Sequence, residues 1–194
     1  MEIYFIRHGK TKENQKRLYY GTMDSGILQE SRERLKLHSN WFLQQKFDKV
    51  YVSPLPRAVE TARVLLPGED LQLDSRLEER HFGIFEGKTY QEIVSEYPQQ
   101  AHEWEEKWMT YEIPKGESFL QVQKRVNDFA GYLKKCRFKK ILIVSHKGTM
   151  IQLMLALLGI PAEQYWKFTL ESDCYSKIDY FYGNAVLTIL NQKL

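Results

Sequence analysis

Two apolar runs, each ending in a histidine, constrain this chain more than any other feature. Residues 3–6 (Ile-Tyr-Phe-Ile) read as a short buried strand that gives way at once to Arg7, His8 and Gly9. Residues 141–144 (Ile-Leu-Ile-Val) repeat the pattern and lead into Ser145, His146, Lys147 and Gly148. In an open α/β sheet, ligands bind outside the carboxyl ends of the strands. Two buried strands that bring two histidines to such an edge, one beside the permanent cation of Arg7, imply a site that works on an anion.

The intervening elements fit such a sheet. A helix is expected over 29–45, with Leu35 and Phe42 on one face, then a strand over 47–52 ended by Ser53-Pro54-Leu55-Pro56. Arg57 opens a helix over 58–66 that Pro67-Gly68 stops, and 71–77 is a possible third strand. Thr89 and Glu92 have capping-box spacing, which predicts a helix from 89 to about 97, with another over 99–109. Ser118 caps a helix whose Val122, Val126, Phe129 and Leu133 form one stripe. A nearly all-apolar helix over 149–158 is closed by Gly159 and Pro161, and an edge strand is expected at 185–190. Residues 11–27 are polar and glycine-punctuated, hence a loop at the active edge. Strands alternating with helices predict an α/β fold, a three-layer α/β/α sandwich with a mostly parallel central sheet. At 194 residues the chain suits a single domain, 1–194, with a helical insert at about 88–116 over the active edge.

Bulk properties narrow the setting. The 43% hydrophobic and 27% charged fractions are ordinary for a soluble globular protein. Basic residues number 28 and acidic ones 25, and a net charge of +3 is too mild to argue for nucleic acid or a membrane surface. Cys136 and Cys174 stand far apart, which argues against a disulfide scaffold or structural zinc and fits a reducing, cytoplasmic compartment. No signal peptide is evident, and the most apolar stretch, 141–160, is broken by His146, Lys147 and Gln152, so it does not read as a membrane span.

The chemistry that fits these parts is phosphoryl transfer through a histidine. A phosphate monoester carries about −1.5 to −2 charges at neutral pH. Its transfer needs fixed cations around the equatorial oxygens, an in-line nucleophile and a proton source for the leaving oxygen. Arg7, Arg57 and His146 each follow a predicted strand and so converge at one edge, with His8 as nucleophile and Glu79 as acid. Other chemistries fit poorly. Residues 83–89 (GIFEGKT) mimic a P-loop but are one residue short between the glycines, no GxSxG elbow occurs, and no HExxH or close metal-ligand spacing appears.

The motifs also resemble a known family. Arg7-His8-Gly9-Lys10-Thr11 with Asn14 resembles the RHGxTxxN signature of the histidine phosphatase superfamily, which includes phosphoglycerate mutases. Residues 53–62 (SPLPRAVETA) resemble its SPLxRAxxTA segment, 77–87 (LEERHFGIFEG) its LxExxFGxxEG segment, 114–118 (PKGES) its PxGES stretch, and 144–146 its second-histidine strand. The resemblance implies that His8 is phosphorylated and that Arg7, Arg57 and His146 hold the phosphoryl group. It implies that Glu79 donates the proton and later activates water, that Asn14 and the Gly21 backbone help bind phosphate, and that no metal or cofactor is used. One departure is Lys147, where the family usually has glycine. Its ammonium either reaches the substrate or points to solvent, as exposed lysines commonly do.

The expected ligand is a small-molecule phosphate monoester. A binding module that had lost the chemistry would show a broken constellation, whereas every catalytic residue type is present. Phosphoglycerate mutases carry extra cations after a tryptophan in the insert. Here Glu105 and Glu106 follow Trp104, which favours a phosphatase over a mutase. Residues 20–24, the stretch from Tyr97-Pro98 to Trp104, PKGESF and 157–161 are similar to phosphatases acting on alpha-ribazole-5'-phosphate in cobalamin-nucleotide assembly, and also to broad-specificity phosphatases of the superfamily. Tyr97, Trp104 and Trp108 either roof the pocket or pack as core.

Overall fold

The computed structural model describes every residue except Asp24, so that member of the segment 20–24 lies outside the described residues. Six strands form one sheet: β1 (Glu2–Arg7), β2 (Lys49–Val52), β3 (Leu71–Leu73), β4 (Lys140–Ser145), β5 (Cys174–Phe181) and β6 (Asn184–Lys193), in the order β3-β2-β4-β1-β5-β6. The first four of that order run parallel, and β5 and β6 are an antiparallel hairpin on the β1 side. The helices are α1 (Lys12–Lys16), α2 (Gln29–Gln44), α3 (Pro56–Leu65), α4 (Tyr90–Glu96), α5 (Pro98–Glu106), α6 (Phe119–Lys135) and α7 (Lys147–Leu158).

The central strands are apolar without alternation because both of their faces are buried. Ile3, Phe5, Ile141 and Ile143 point to one side, where Val122, Val126, Phe129 and Leu133 of α6 and the apolar α7 cover them. Tyr4, Ile6, Leu142 and Val144 point to the other, against Leu35 and Phe42 of α2 and Ala58, Ala62 and Leu65 of α3. The expected three-layer, mostly parallel architecture is what the chain forms.

Several boundaries differ from the sequence reading. Pro56 occupies the first turn of α3, where its missing N–H is harmless, so that helix begins two residues early. α7 begins at Lys147, directly after His146, which places the Lys147 and Gly148 amides in its first turn. The third strand stops at Leu73. The Asp74 side chain then accepts from the Arg76 amide (3.0 Å) and closes a 3-10 turn over Ser75–Leu77. Inside the expected loop, Thr11 and Asn14 cap each other reciprocally and start α1. β5 was not anticipated, although Cys174, Ser176 and Ile178 alternate inward with period two. Its turn holds Tyr182 and Gly183, both at positive φ (51° and 78°), the geometry that suits a tight hairpin.

Residues 85–113 gather a small separate core of Phe85, Ile93, Ala101 and Ile113. Tyr97 packs there against Phe85, with ring centroids 6.0 Å apart. Among the described residues no helix is long and apolar enough to cross a membrane.

Candidate active site

Strand order explains the convergence. β2, β4 and β1 are neighbours, so the residues that follow them (53–57, 146 and 8) share one edge of the sheet. Backbone bonds fix the junctions: the His8 amide donates to Ser145 O (2.9 Å) and the Ser53 amide to Val144 O (2.9 Å). The rings of His8 and His146 come to lie 5.1 Å apart.

Their hydrogen bonds assign opposite tautomers. His8 Nδ1 lies 2.8 Å from Gly9 O; a carbonyl only accepts, so Nδ1 carries the hydrogen and Nε2 carries the lone pair. Arg57 Nε donates to His146 Nδ1 (3.2 Å), so that nitrogen is the acceptor and Nε2–H donates to Ser53 Oγ (2.7 Å). Burial holds both imidazoles well below their ordinary pKa, reinforced at His8 by Arg7 and Arg57 and at His146 first by Arg57. His8 is therefore a neutral base whose Nε2 lone pair is engaged by none of the described residues, which is the state a nucleophile needs.

Arg57 is fully buried, and among the described residues three of its five N–H groups are committed, to His146, to Met23 O (3.1 Å) and to Gly21 O (2.6 Å). The described residues leave two for an anion. Arg7 donates one Nη to Leu170 O (3.0 Å), while its buried Nε has no partner among the described residues. Asn14 Oδ1 accepts from the Thr11 amide (3.1 Å), which orients the amide and leaves its Nδ2 hydrogens for the cleft that Asn14 lines.

Two expectations need revision. The Gly21 amide is held by the carboxylate of Glu86 (2.9 Å) and its carbonyl by Arg57, so its backbone has no group left for a phosphate. Gly21 is required instead by close approach, since a β-carbon there would sit 1.9 Å from Arg80 O. His146, with both nitrogens bonded to Ser53 and Arg57, orients Arg57 in this conformation and presents no N–H to the cleft.

Glu79 accepts from the Arg80 amide (3.0 Å) and the Gly148 amide (3.0 Å), and its Oε1 stands 3.3 Å from Thr149 Oγ1. The segment that carries it is anchored carbonyl by carbonyl. Ser145 Oγ donates to Leu77 O (2.6 Å) and Thr149 Oγ1 to Glu78 O (2.6 Å). Arg125 donates to the carbonyls of Arg76, Glu78 and Glu79 and pairs with Glu117 (3.1 Å). The sequence reading missed Arg125, Thr149, Glu86 and Glu117. An arginine on the apolar stripe of α6, three residues after Val122, was the available signal for the first.

Two compartments open above this centre, and Arg7, Asn14, Tyr19, Tyr90 and Lys147 line both. Lys147 thus faces the cleft rather than solvent alone. One compartment, about 600 Å³, contains Glu79 and is walled by Trp104, Trp108, Phe119, Tyr165 and Trp166. Trp104 and Trp108 line this compartment, whereas Tyr97 is partly buried against Phe85 and is not part of its lining. Tyr165, Trp166 and Phe168 come from residues 162–168, a stretch the sequence reading did not assign. The other, about 910 Å³, is cationic, with Lys10, Lys16 and Arg17 beside Lys147. Glu105 lies in the aromatic compartment and accepts from the Tyr90 hydroxyl. Arg80, whose pKa burial pushes down to about 10, spends its donors on Glu117 O (2.8 Å) and Tyr111 O (3.2 Å). No group of three or more metal-ligating side chains occurs among the described residues.

Comparison with known proteins places this geometry in context. The model of the histidine phosphatase superfamily (branch 1) matches residues 3–193. An adenosylcobalamin/alpha-ribazole phosphatase of Salmonella typhimurium is 31% identical over 198 residues, spanning 100% of this chain and 97% of that protein. Phosphoserine phosphatase 1 of Hydrogenobacter thermophilus is 26% identical over 194 residues, spanning 98% of this chain and 92% of that protein. The crystal structure of the alpha-ribazole phosphatase from Shigella flexneri superposes with a TM-score of 0.92 at 32% identity, covering 99% of this chain and 96% of that one.

Proposed function

The chain belongs to the histidine phosphatase superfamily, and on that premise we propose that it hydrolyses phosphomonoesters of bulky, ring-bearing alcohols, of which alpha-ribazole-5'-phosphate is the best candidate. The observation that carries this reading is that Glu79, the proton source, opens into the aromatic compartment and not the cationic one. The leaving oxygen must lie against its acid, so the alcohol occupies the aromatic side. An aromatic wall suits a flat heterocycle on a sugar. Glu105 on that wall disfavours an acidic leaving group such as a phosphoglycerate.

In the proposed reaction, His8 Nε2 attacks phosphorus in line while the bond to the leaving oxygen breaks. Glu79 delivers its proton to that oxygen, and Arg7, Arg57 and Asn14 take the charge of the transferred group. Water then replaces the alcohol, Glu79 takes its proton, and attack on the phosphohistidine releases inorganic phosphate and restores His8. Each step uses side chains alone. The free thiols of Cys136 and Cys174 support a cytoplasmic setting.

A second reading is supported by the cationic compartment: a substrate carrying another anionic group, as phosphoserine does, with Lys147 between the two. A phosphate-release panel in the presence of chelator separates them. It compares alpha-ribazole-5'-phosphate, phosphoserine, 3-phosphoglycerate and p-nitrophenyl phosphate by kcat/KM. A preference of roughly a hundredfold for the ribazole ester, about 2.7 kcal/mol of transition-state discrimination, is expected. A comparable preference for phosphoserine selects the second reading.

A further inference from the structure

The peptide that holds the His8 ring is itself held. His8 Nδ1–H donates to Gly9 O (2.8 Å). The same peptide unit carries the Lys10 amide, which donates to Ser31 Oγ (2.9 Å) in the first turn of α2. Ser31 is fully buried, and the acceptor for its hydroxyl hydrogen among the described residues is Asp173 Oδ2, 3.4 Å away. Gly9 lets the loop lie this near α2, since a β-carbon there would stand 3.1 Å from Ser31 Cβ. One line of contacts therefore runs from the nucleophile's ring through an amide and a hydroxyl to a carboxylate.

Nothing in the packing calls for an acid at the far end. Asp173, just before β5, is 6% exposed and has a left-handed backbone (φ 58°), which aspartate tolerates and glycine suits better. Its Oδ2 pairs with Arg34 (3.1 Å), whose side chain is 51% exposed. Its Oδ1 is buried and has no partner among the described residues. A buried carboxylate so thinly paired is costly, and its charge acts strongly on the groups it touches.

We propose that Asp173 is a positioning residue for the covalent step: through Ser31 and the Gly9–Lys10 peptide it fixes the His8 tautomer and stabilises the positive charge the ring gains as Nε2 bonds phosphorus. This deepens, and rests on, the phosphohistidine reading above. As the Nε2 lone pair passes to phosphorus and the ester bond breaks, the ring becomes cationic while Nδ1 keeps its hydrogen. No proton travels along the line. Burial, Arg7 and Arg57 all oppose that charge, so an anion acting from the other side of the ring offsets them. An acceptor on the Lys10 N–H pushes electron density through the amide towards Gly9 O, and the bond from Nδ1–H strengthens as the charge grows. The carboxylate thus favours formation of the phosphohistidine and not its breakdown, in which the ring leaves as neutral imidazole.

The test is a pulse of radiolabelled p-nitrophenyl phosphate and a chase of unlabelled ester, quenched in base, which times phosphorylation of the enzyme and its loss separately. Asp173→Asn keeps the shape and tolerates the left-handed backbone but lacks the charge. It should slow phosphorylation by about three- to tenfold and leave breakdown as fast as in the wild type or faster. Ser31→Ala should slow phosphorylation at least as much, and adding Asp173→Asn to it should slow that step no further, because the line is already cut. Either single variant alone carries the comparison of steps, since a merely displaced His8 would slow both. Equal slowing of the two steps, unchanged phosphorylation in Asp173→Asn, or full additivity in the double variant overturns the assignment while leaving the phosphohistidine reading intact. No labelled phosphoenzyme in the wild type overturns that reading, and this assignment with it.

Discussion

The backbone amide of Gly148 donates to Glu79 Oε2 at 3.0 Å, and a β-carbon at position 148 would stand 2.6 Å from Oε1. Helix and carboxylate are therefore matched to a residue with no side chain. Gly148→Ala should displace Glu79 and lower kcat/KM for alkyl phosphates by about a hundredfold, within the range general-acid loss produces. Because p-nitrophenolate leaves without help, p-nitrophenyl phosphate should be slowed far less. Leaving-group dependence across an ester series checks this, and Glu79→Gln should show the same dependence in stronger form.

Arg125 touches no cleft residue's reacting atoms, yet it holds three carbonyls of the segment that carries Glu79. Arg125→Met takes this donor from the Arg76 and Glu79 carbonyls, while Glu78 O keeps Thr149 Oγ1 and Glu117 keeps the His81 amide. Stability should fall by on the order of 2–3 kcal/mol, read by urea unfolding. Under conditions where the variant is fully folded, kcat should fall more than KM rises, because proton delivery and not phosphate binding is disturbed. An equal effect on activated and alkyl esters would contradict a role through Glu79.

Lys147 lines both compartments at the first turn of α7. Lys147→Gln should weaken binding of every dianionic ester mainly through KM, by about three- to tenfold at low ionic strength. The difference should shrink as salt screens the pair. Steady-state kinetics at two salt concentrations decide it, and an unchanged KM at low salt would place the ammonium away from the substrate.

His8 and His146 are buried neutral, so their folded pKa values lie below the unfolded value near 6.5. The unfolded chain then takes up protons that the folded chain refuses, and stability must fall as pH drops below about 6.5. The slope approaches about 1.4 kcal/mol per pH unit for each histidine, down to its folded pKa. Urea unfolding at a series of pH values in phosphate-free buffer should show this slope. His146→Asn should remove about half of it, even though the variant is weaker at every pH.

Much of this was legible in the sequence, for identifiable reasons. Strands such as 3–6 and 141–144 are buried on both faces, so their apolar runs carry the signal without help from tertiary context. Arg7, His8 and His146 stand within two residues of the end of such a run, and Arg57 reaches the same edge because residues 53–55 turn the chain from β2 straight into α3. What escaped depended on contacts distant in sequence. The Gly21 amide is taken by Glu86, 65 positions away, and Arg125 reaches the Glu79 segment across 46 or more. β5 was missed because its alternation includes Lys177 and Asp179, polar residues that the edge hairpin leaves only partly buried. The aromatic wall at 165, 166 and 168 lies in a 3-10 segment and the residue that follows it, with no periodicity to betray a face.

The covalent step is tested most directly by trapping. Wild-type enzyme is mixed with a reactive phosphate ester in the presence of chelator, quenched within milliseconds in base, where phosphohistidine survives, and digested for mass spectrometry. One phosphoryl group is expected on His8, formed at least as fast as steady-state turnover and absent in His8→Ala, which should also lose hydrolysis. Undiminished hydrolysis by His8→Ala, or a phosphoryl group found on another residue, would contradict it.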